Sequence, residues 1–376
     1  WCYVNNFKDA YHPKAVRLGP GNGPVFARDM EEFVKVARVE LPRAFESENY
    51  EKRKNEITEV VQRRREGLLT ELQHEASDLG FSIEATPVGI ASVPLTGDGR
   101  PYTRDEYDNL PDDRKQEIKQ RGAKLQESTN QFVSRSRALE KEAQDKLREL
   151  DREIALFAVG HLLEDLRARY RVCDGFGDCE AILVYLNEVE NDIVEKLDEF
   201  RAPDKTRQQM PPGFEELAES AFDRYKVNVF VTRQNHDGAP VVQENNPTYN
   251  NLVGKIEYKS RFGFVTTDHN MIKAGAIHRA NGGYLVVQAF DVLTNPFSWD
   301  ALKRVLRARE AGPENIWDQY GLMSISTIKP QAIPLDIKIV MVGSPYIYYL
   351  LYYLDDEFRK FFKVKADFDI EMARTD

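Results

Sequence analysis

The chain has 376 residues, 41% of them hydrophobic and 30% charged, with a formal net charge of -10. That is a soluble profile with a bias towards long charged helices, and it allows two or three structural units. It argues against nucleic acid as a partner, because a broad phosphate-binding surface needs the opposite charge. No run approaches the ~18 consecutive apolar residues of a membrane span, so no membrane partner is expected.

The run Trp1 to Phe7 predicts a strand with Asn5 and Asn6 at its C-terminal end. The chain opens inside this apolar run, so it reads as a piece of a longer protein entered mid-domain. The Pro- and Gly-rich stretch Leu18-Gly19-Pro20-Gly21-Asn22-Gly23-Pro24 comes next. It tempts a reading as a phosphate cradle, but Pro24, Val25 and Phe26 stand where a Lys and a hydroxyl residue would enter a helix. It is read as a loop. Residues 1–27 make the first region.

The second region, 28–224, is predicted to be mostly helical. Arg28 to Glu66 contains no Gly, and only Pro42 interrupts it. Apolar residues recur at Ile57, Val61, Leu68, Leu72, Ala76 and Leu79, which is the seam of a coiled coil. A second arm repeats at heptad spacing through Ile118, Leu125, Phe132 and Leu139, then shifts phase to Leu147, Leu150, Ile154 and Phe157. Between the arms, residues 81–103 alternate and carry turn signals at Pro87-Val88-Gly89 and Thr96-Gly97-Asp98-Gly99, predicting a β-hairpin tip. The expected arrangement is two antiparallel helices of roughly 50 Å. A shorter helical pair follows at about 178–200 and 214–224, with the linker Met210-Pro211-Pro212-Gly213 between them.

The third region, 225–376, alternates strand and helix. Strands are predicted at Val227–Val231, Tyr284–Val287 and Ile337–Val342, and a helix at Trp299–Glu310. Such alternation implies a parallel sheet with crossovers. The strand at 1–7 is placed in the same sheet, which makes the helical arms an insertion in an α/β domain. Ligands of parallel sheets sit at the C-terminal strand ends, here Asn5-Asn6, Gln288-Ala289 and Gly343-Ser344.

The segment His278 to Leu293 carries the most information. A Gly282-Gly283 turn feeds the short apolar run Tyr284 to Val287. In a nucleotide-hydrolysing domain of the AAA+ type, such a strand ends in two acids, one for Mg²⁺ and one for the attacking water. Here those places hold Gln288 and Ala289. A carboxamide is a poor Mg²⁺ ligand, and a methyl group is neither ligand nor base.

The runs Trp1-Cys2-Tyr3-Val4-Asn5-Asn6-Phe7, Gly275 to Leu285 and Phe362-Lys363-Val364-Lys365-Ala366-Asp367-Phe368 resemble the AAA+-like module of Lon-type proteases. The version with a long coiled-coil insertion is the closer match, as in the B-type-like and ATPase-deficient C-type enzymes. The resemblance implies a serine peptidase with a Ser–Lys dyad in a further C-terminal domain. It also implies a hexameric homo-oligomeric ring that admits unfolded polypeptides. On that resemblance, Gln288 and Ala289 fill the Walker B acidic positions, and Ser344 stands where a polar sensor would meet the γ-phosphate. Phe361 falls where many relatives place an arginine finger, with Arg359 or Lys360 as shifted substitutes. No catalytic residue, metal or cofactor is expected within this chain.

Tyr258, Phe262 and Phe264 flank a Gly and suit a loop that grips extended polypeptide through ring stacking. The plainer alternative is a hairpin packing its own rings. The tyrosines at 346, 348, 349, 352 and 353 would cover several helix faces, which points to a subunit interface. His278 and His161 are read as structural histidines, His161 as one satisfied in the core. The pairs Asp268-His269 and His236-Asp237 lie in loops without a placed nucleophile. Three cysteines point to a reducing, cytoplasmic compartment. Cys173 and Cys179 flank a Gly-rich loop and are able to pair, although that is unusual in cytosol. Their spacing gives no zinc site. The expectation is a non-catalytic entry module of a Lon-like protease. The alternatives are a fragment of an ATP-driven B-type motor and a stand-alone coiled-coil scaffold.

Overall fold

The computed structural model describes the chain except for residues 87–88, 172–176, 202–219, 234–237, 262–263, 315–327, 370 and 372–376. It divides into two compact units, one formed by Trp1–Val39 with Val159–Asp376 and the other by Glu40–Ala158. The first half of the chain runs β1 (Cys2–Val4), β2 (Lys14–Val16), α1 (Asn22–Phe45), α2 (Glu48–Asp78), β3 (Phe81–Thr86), β4 (Gly89–Pro94), α3 (Arg104–Asp108), α4 (Asp112–Arg171), α5 (Cys179–Glu195) and α6 (Leu197–Arg201). The second half begins with β5 (Asn228–Val229), β6 (Val241–Glu244), α7 (Tyr249–Val253), β7 (Gly254–Ile256), β8 (Lys259–Arg261), β9 (Phe264–Thr266), β10 (Ile272–Ala274) and α8 (Ala276–Arg279). It continues through β11 (Tyr284–Gln288), α9 (Ala289–Thr294), α10 (Ser298–Ala308), β12 (Glu310–Ala311), β13 (Ile333–Pro334), β14 (Lys338–Val342), α11 (Pro345–Leu354) and α12 (Phe358–Phe361).

Helix α1 begins at Asn22, so Gly23 and Pro24 of the expected loop belong to its first turn. Proline is tolerated there because the first helical N–H groups have no partner in any case. Pro42 does not end the helix. The break falls beyond it, where the Ser47 hydroxyl accepts the Tyr50 N–H at 3.3 Å and caps α2.

In the unit Glu40–Ala158, α2 and α4 run in opposite directions. Tyr50 donates to Asp151 at 2.7 Å, Arg64 pairs with Glu142 at 3.5 Å, and Ser128 donates to Glu75 at 2.7 Å. Residue numbers thus rise along one helix as they fall along the other. Between them Leu72, Ala76, Leu125 and Phe132 form a buried cluster, with Phe81 of the hairpin packed into it. The seam shifts near its end. Phe157 is 79% exposed, and Ala155 and Val159 are buried instead. The turn residues Pro87 and Val88 and the linker 210–213 lie outside the described residues.

The unit built from the two ends of the chain contains a parallel sheet in the order β14-β11-β6. Two of the predicted strands, at 284–287 and 337–342, lie in it. The strand at 1–7 does not. β1 pairs antiparallel with β2 and β5, so Val227–Val231 also belongs to this second sheet. The pairing is long-range in sequence, and the N–H groups of Phe230 and Val231 both donate to the Trp1 carbonyl, at 3.0 and 3.1 Å. The third parallel strand is β6. It is only four residues long and alternates between exposed and half-buried, which gives a weak strand signal.

Leu285 and Val287 of β11 are buried among Leu252, Ile277, Leu302 and Val305. Two glycines start this strand. Gly282 has φ +79, a conformation that side chains other than glycine rarely adopt, and its N–H donates to the Asp336 carbonyl. A Cβ on Gly283 would lie 2.1 Å from the Pro240 carbonyl oxygen. That same oxygen accepts the Tyr284 N–H at 2.7 Å. Gly283→Ala is therefore expected to lower unfolding free energy by about 3 kcal/mol or more, and Gly282→Ala by about 1–2 kcal/mol, measured by urea denaturation.

Candidate functional site: the parallel strand ends

Because the three strands are parallel, their C-terminal ends share one edge of the sheet. Gln288 aligns with Val342, and Val287 aligns with Glu244. Gln288, Ala289 and Ser344 are therefore brought together at the place where α/β sheets hold their ligands. Gln288 is exposed, and its side chain makes no capping bond to α9. Ala289 is only 4% exposed. A Cβ built on Gly343 would lie 3.0 Å from the Ala289 Cβ, so a side chain larger than glycine at 343 would crowd the methyl group. The inner strand end is closed by an apolar contact.

The remaining polar groups here are engaged. The Ser344 hydroxyl accepts the Ile347 N–H at 3.4 Å and caps α11. Glu244, which the sequence pattern did not single out, supplies the carboxylate at the end of β6. It pairs with Arg279 at 3.2 Å and accepts the Asn246 N–H at 3.1 Å. Its signal was available as the acid closing a short alternating run. Among the described residues no group of three or more His, Cys, Asp or Glu could hold a metal ion.

The segment 355–361 is held by its own neighbours. Arg359 pairs with Asp356 at 2.7 Å and lies 5.3 Å from the Tyr352 ring centroid. Phe361 is half-buried and Lys360 exposed. Upstream, Asp355 accepts from Trp299 at 2.8 Å and Lys303 at 3.0 Å. Burial pushes the Asp355 carboxyl up, but the bonds from Trp299, Lys303 and the backbone outweigh it and leave it below the usual range.

Tyr258 is half-buried just before β8. β8 and β9 form an antiparallel hairpin in which Arg261 faces Phe264, and Phe262 lies outside the described residues. The strand ends thus collect Gln288, Ala289 and Ser344, while Tyr258 and Phe264 belong to a separate hairpin.

His278 is 1% exposed, with Nε2 at 3.1 Å from the Ala311 carbonyl and its ring edge-on to Phe230 at 4.8 Å. Burial lowers its pKa to about 4. It is neutral and structural. His269 is buried as well, 2.7 Å from the Lys226 carbonyl. His161 is exposed on α4, which corrects its expected place in the core. His236 and Asp237 lie outside the described residues. Cys2 is free and buried, and burial pushes its thiol up to about 11. Cys179 is disulfide-bonded, a departure from the expectation of reduced thiols, and Cys173 lies outside the described residues.

A three-stranded parallel sheet with helices around it is the core of an α/β module. Residues 237–369, which include all three strands, match the family model described as LonB-like, AAA domain. Residues 1–33, which include β1, β2 and the start of α1, match the one described as Lon-like LonC helical domain. Both descriptions name Lon-type modules, so over these two stretches the chain is similar to Lon-type proteins. No curated protein matches the chain. No helix among the described residues is long and apolar enough to cross a membrane.

Two outcomes follow from this geometry. Ala289→Asp buries a carboxylate against Gly343 and is expected to lower stability by about 2–4 kcal/mol, while Gln288→Asp at the exposed neighbour stays within about 0.5 kcal/mol, both read from urea midpoints. His278 titrates at about 4 in the fold against 6.5 when unfolded. Its contribution is complete above pH 6.5 and is lost as pH falls towards 4, a change on the order of 3 kcal/mol. His278→Gln should remove that part of the pH slope.

Proposed function

We propose that this chain is the non-catalytic, ring-forming entry module of a Lon-like serine protease that degrades unfolded proteins without hydrolysing ATP. The observation that carries the proposal is the strand end, where an exposed carboxamide and a buried methyl occupy the acidic positions. ATP hydrolysis needs a charged ligand for Mg²⁺ and an oriented water. Gln288 supplies no such charge, and Ala289 is a buried methyl with none either. The capping role of Ser344 and the local pairing of Arg359 support the same view.

In this proposal residues 1–27 and 225–376 make the AAA+-like core. Residues 28–224 form a coiled-coil insertion with its β tip at about 81–103. Helix α11 leaves Tyr346 75%, Tyr353 73% and Leu354 78% exposed, an apolar surface suited to burial between subunits of a homo-oligomeric, hexameric ring. Unfolded polypeptide is the substrate, Tyr258, Phe262 and Phe264 are its contacts, and the setting is cytoplasmic. No nucleotide, metal or other cofactor takes part. Selection of substrate then depends on aperture and surface loops.

A second reading, an ATP-driven B-type motor, is favoured by the match to a LonB-like AAA domain. The two differ in fuel. With the complete encoded polypeptide, casein degradation is expected to proceed at the same rate with and without Mg-ATP, followed by release of soluble peptide. Strict dependence on ATP, with matching phosphate release, would establish the motor instead.

A further inference from the structure

A pocket that the strand-end chemistry does not use lies at the base of the β3–β4 hairpin, where Phe81 pairs with Pro94. We propose that it captures an aromatic or large aliphatic side chain from an extended, acidic polypeptide segment. The pocket is an open depression of about 470 Å³ and lies within the unit Glu40–Ala158. That is room for one or two side chains. Phe81 and Ile118 supply apolar walls. Tyr102 and Tyr107 stand edge-to-face, with centroids 6.4 Å apart and planes at 77°, and both are half-exposed. A third ring can join such a pair without reading the sequence around it.

The charge at the rim is one-sided. Both charged residues lining the pocket, Arg104 and Lys119, are cationic and exposed. Neither has an ion-pair partner among the described residues. Their neighbours differ, since Arg100 pairs with Glu106 at 2.6 Å and Arg114 with Glu117 at 3.1 Å. Two uncompensated cations beside exposed rings are complementary to acids that flank an apolar side chain.

The pocket is also pre-organised. The Thr103 hydroxyl accepts the Glu106 N–H, and the Glu106 carboxylate accepts the Thr103 N–H at 3.0 Å. The Tyr102 N–H donates to the Pro94 carbonyl at 3.1 Å, tying the aromatic loop to the end of β4. Little ordering is then required when a peptide arrives. This proposal concerns recognition alone and holds whether or not ATP is hydrolysed.

The test is fluorescence anisotropy on the full chain, using short labelled Gly/Ser peptides with a central Asp-Phe-Asp, Lys-Phe-Lys or Asp-Ala-Asp. Asp-Phe-Asp is expected to bind about tenfold or more tighter than the other two, and to weaken with salt. Arg104→Glu with Lys119→Glu should remove that preference. Gly122 also lines the pocket and lies within α4. Gly122→Leu fills the space while favouring the helix, and an unchanged urea midpoint separates its loss of binding from a loss of fold. The proposal is overturned if the three peptides bind alike, if either variant binds Asp-Phe-Asp as the parent does, or if no peptide binds at millimolar concentration. It also falls if the charge reversal dissociates an oligomer in sedimentation, which would make the pocket an interface between copies.

Discussion

The Pro240 carbonyl accepts the Tyr284 N–H at a point where only a glycine at 283 leaves room for the approach. That contact fixes the register of β11 against β6, and the Lys338 N–H bond to Gly283 fixes it against β14. A slip of one residue would turn Leu285 and Val287 out of the core. It would also separate Gln288 and Ala289 from Gly343 and Ser344. The turn and the strand ends are thus one structure seen from two ends, with the site placed by the geometry that starts the strand.

At the far end of that strand, chemistry and packing agree. A hydrolytic pair of carboxylates has to be desolvated, and it tolerates this only beside a cation. With a methyl at 289, the inner strand end needs no counter-charge and closes directly on Gly343. The carboxylate that remains nearby, Glu244, is already satisfied by Arg279 and a backbone N–H. At this edge the described carboxylate is paired and the inner position is apolar.

The helical unit is built on a different balance. Few residues of α2 are fully buried, namely Tyr50, Leu72 and Ala76. Ion pairs such as Arg53 with Glu153 lie in solvent and add little individually. Order at the tip comes from the shared cluster of Leu72, Leu125, Phe132 and Phe81, where hairpin and helices meet. Selective burial there leaves other rings half-exposed and available to a ligand.

Local pattern carried much of this. Residue types alone located the Gly-Gly turn, the apolar strand after it, the two long helices and the hairpin between them. Each of these depends on neighbours close in sequence, through φ preference, heptad spacing or alternation. Pairing partners were decided only by tertiary structure. Cys2–Val4 looks like any buried strand, and nothing in its three residues says that β2 and β5 will flank it antiparallel. β6 was hidden because four residues with an exposed Val241 give almost no periodic signal until Tyr284 lies beside them. Phe157 turned outward because the phase of a helix face is set by what packs against it, and a heptad count does not know its partner.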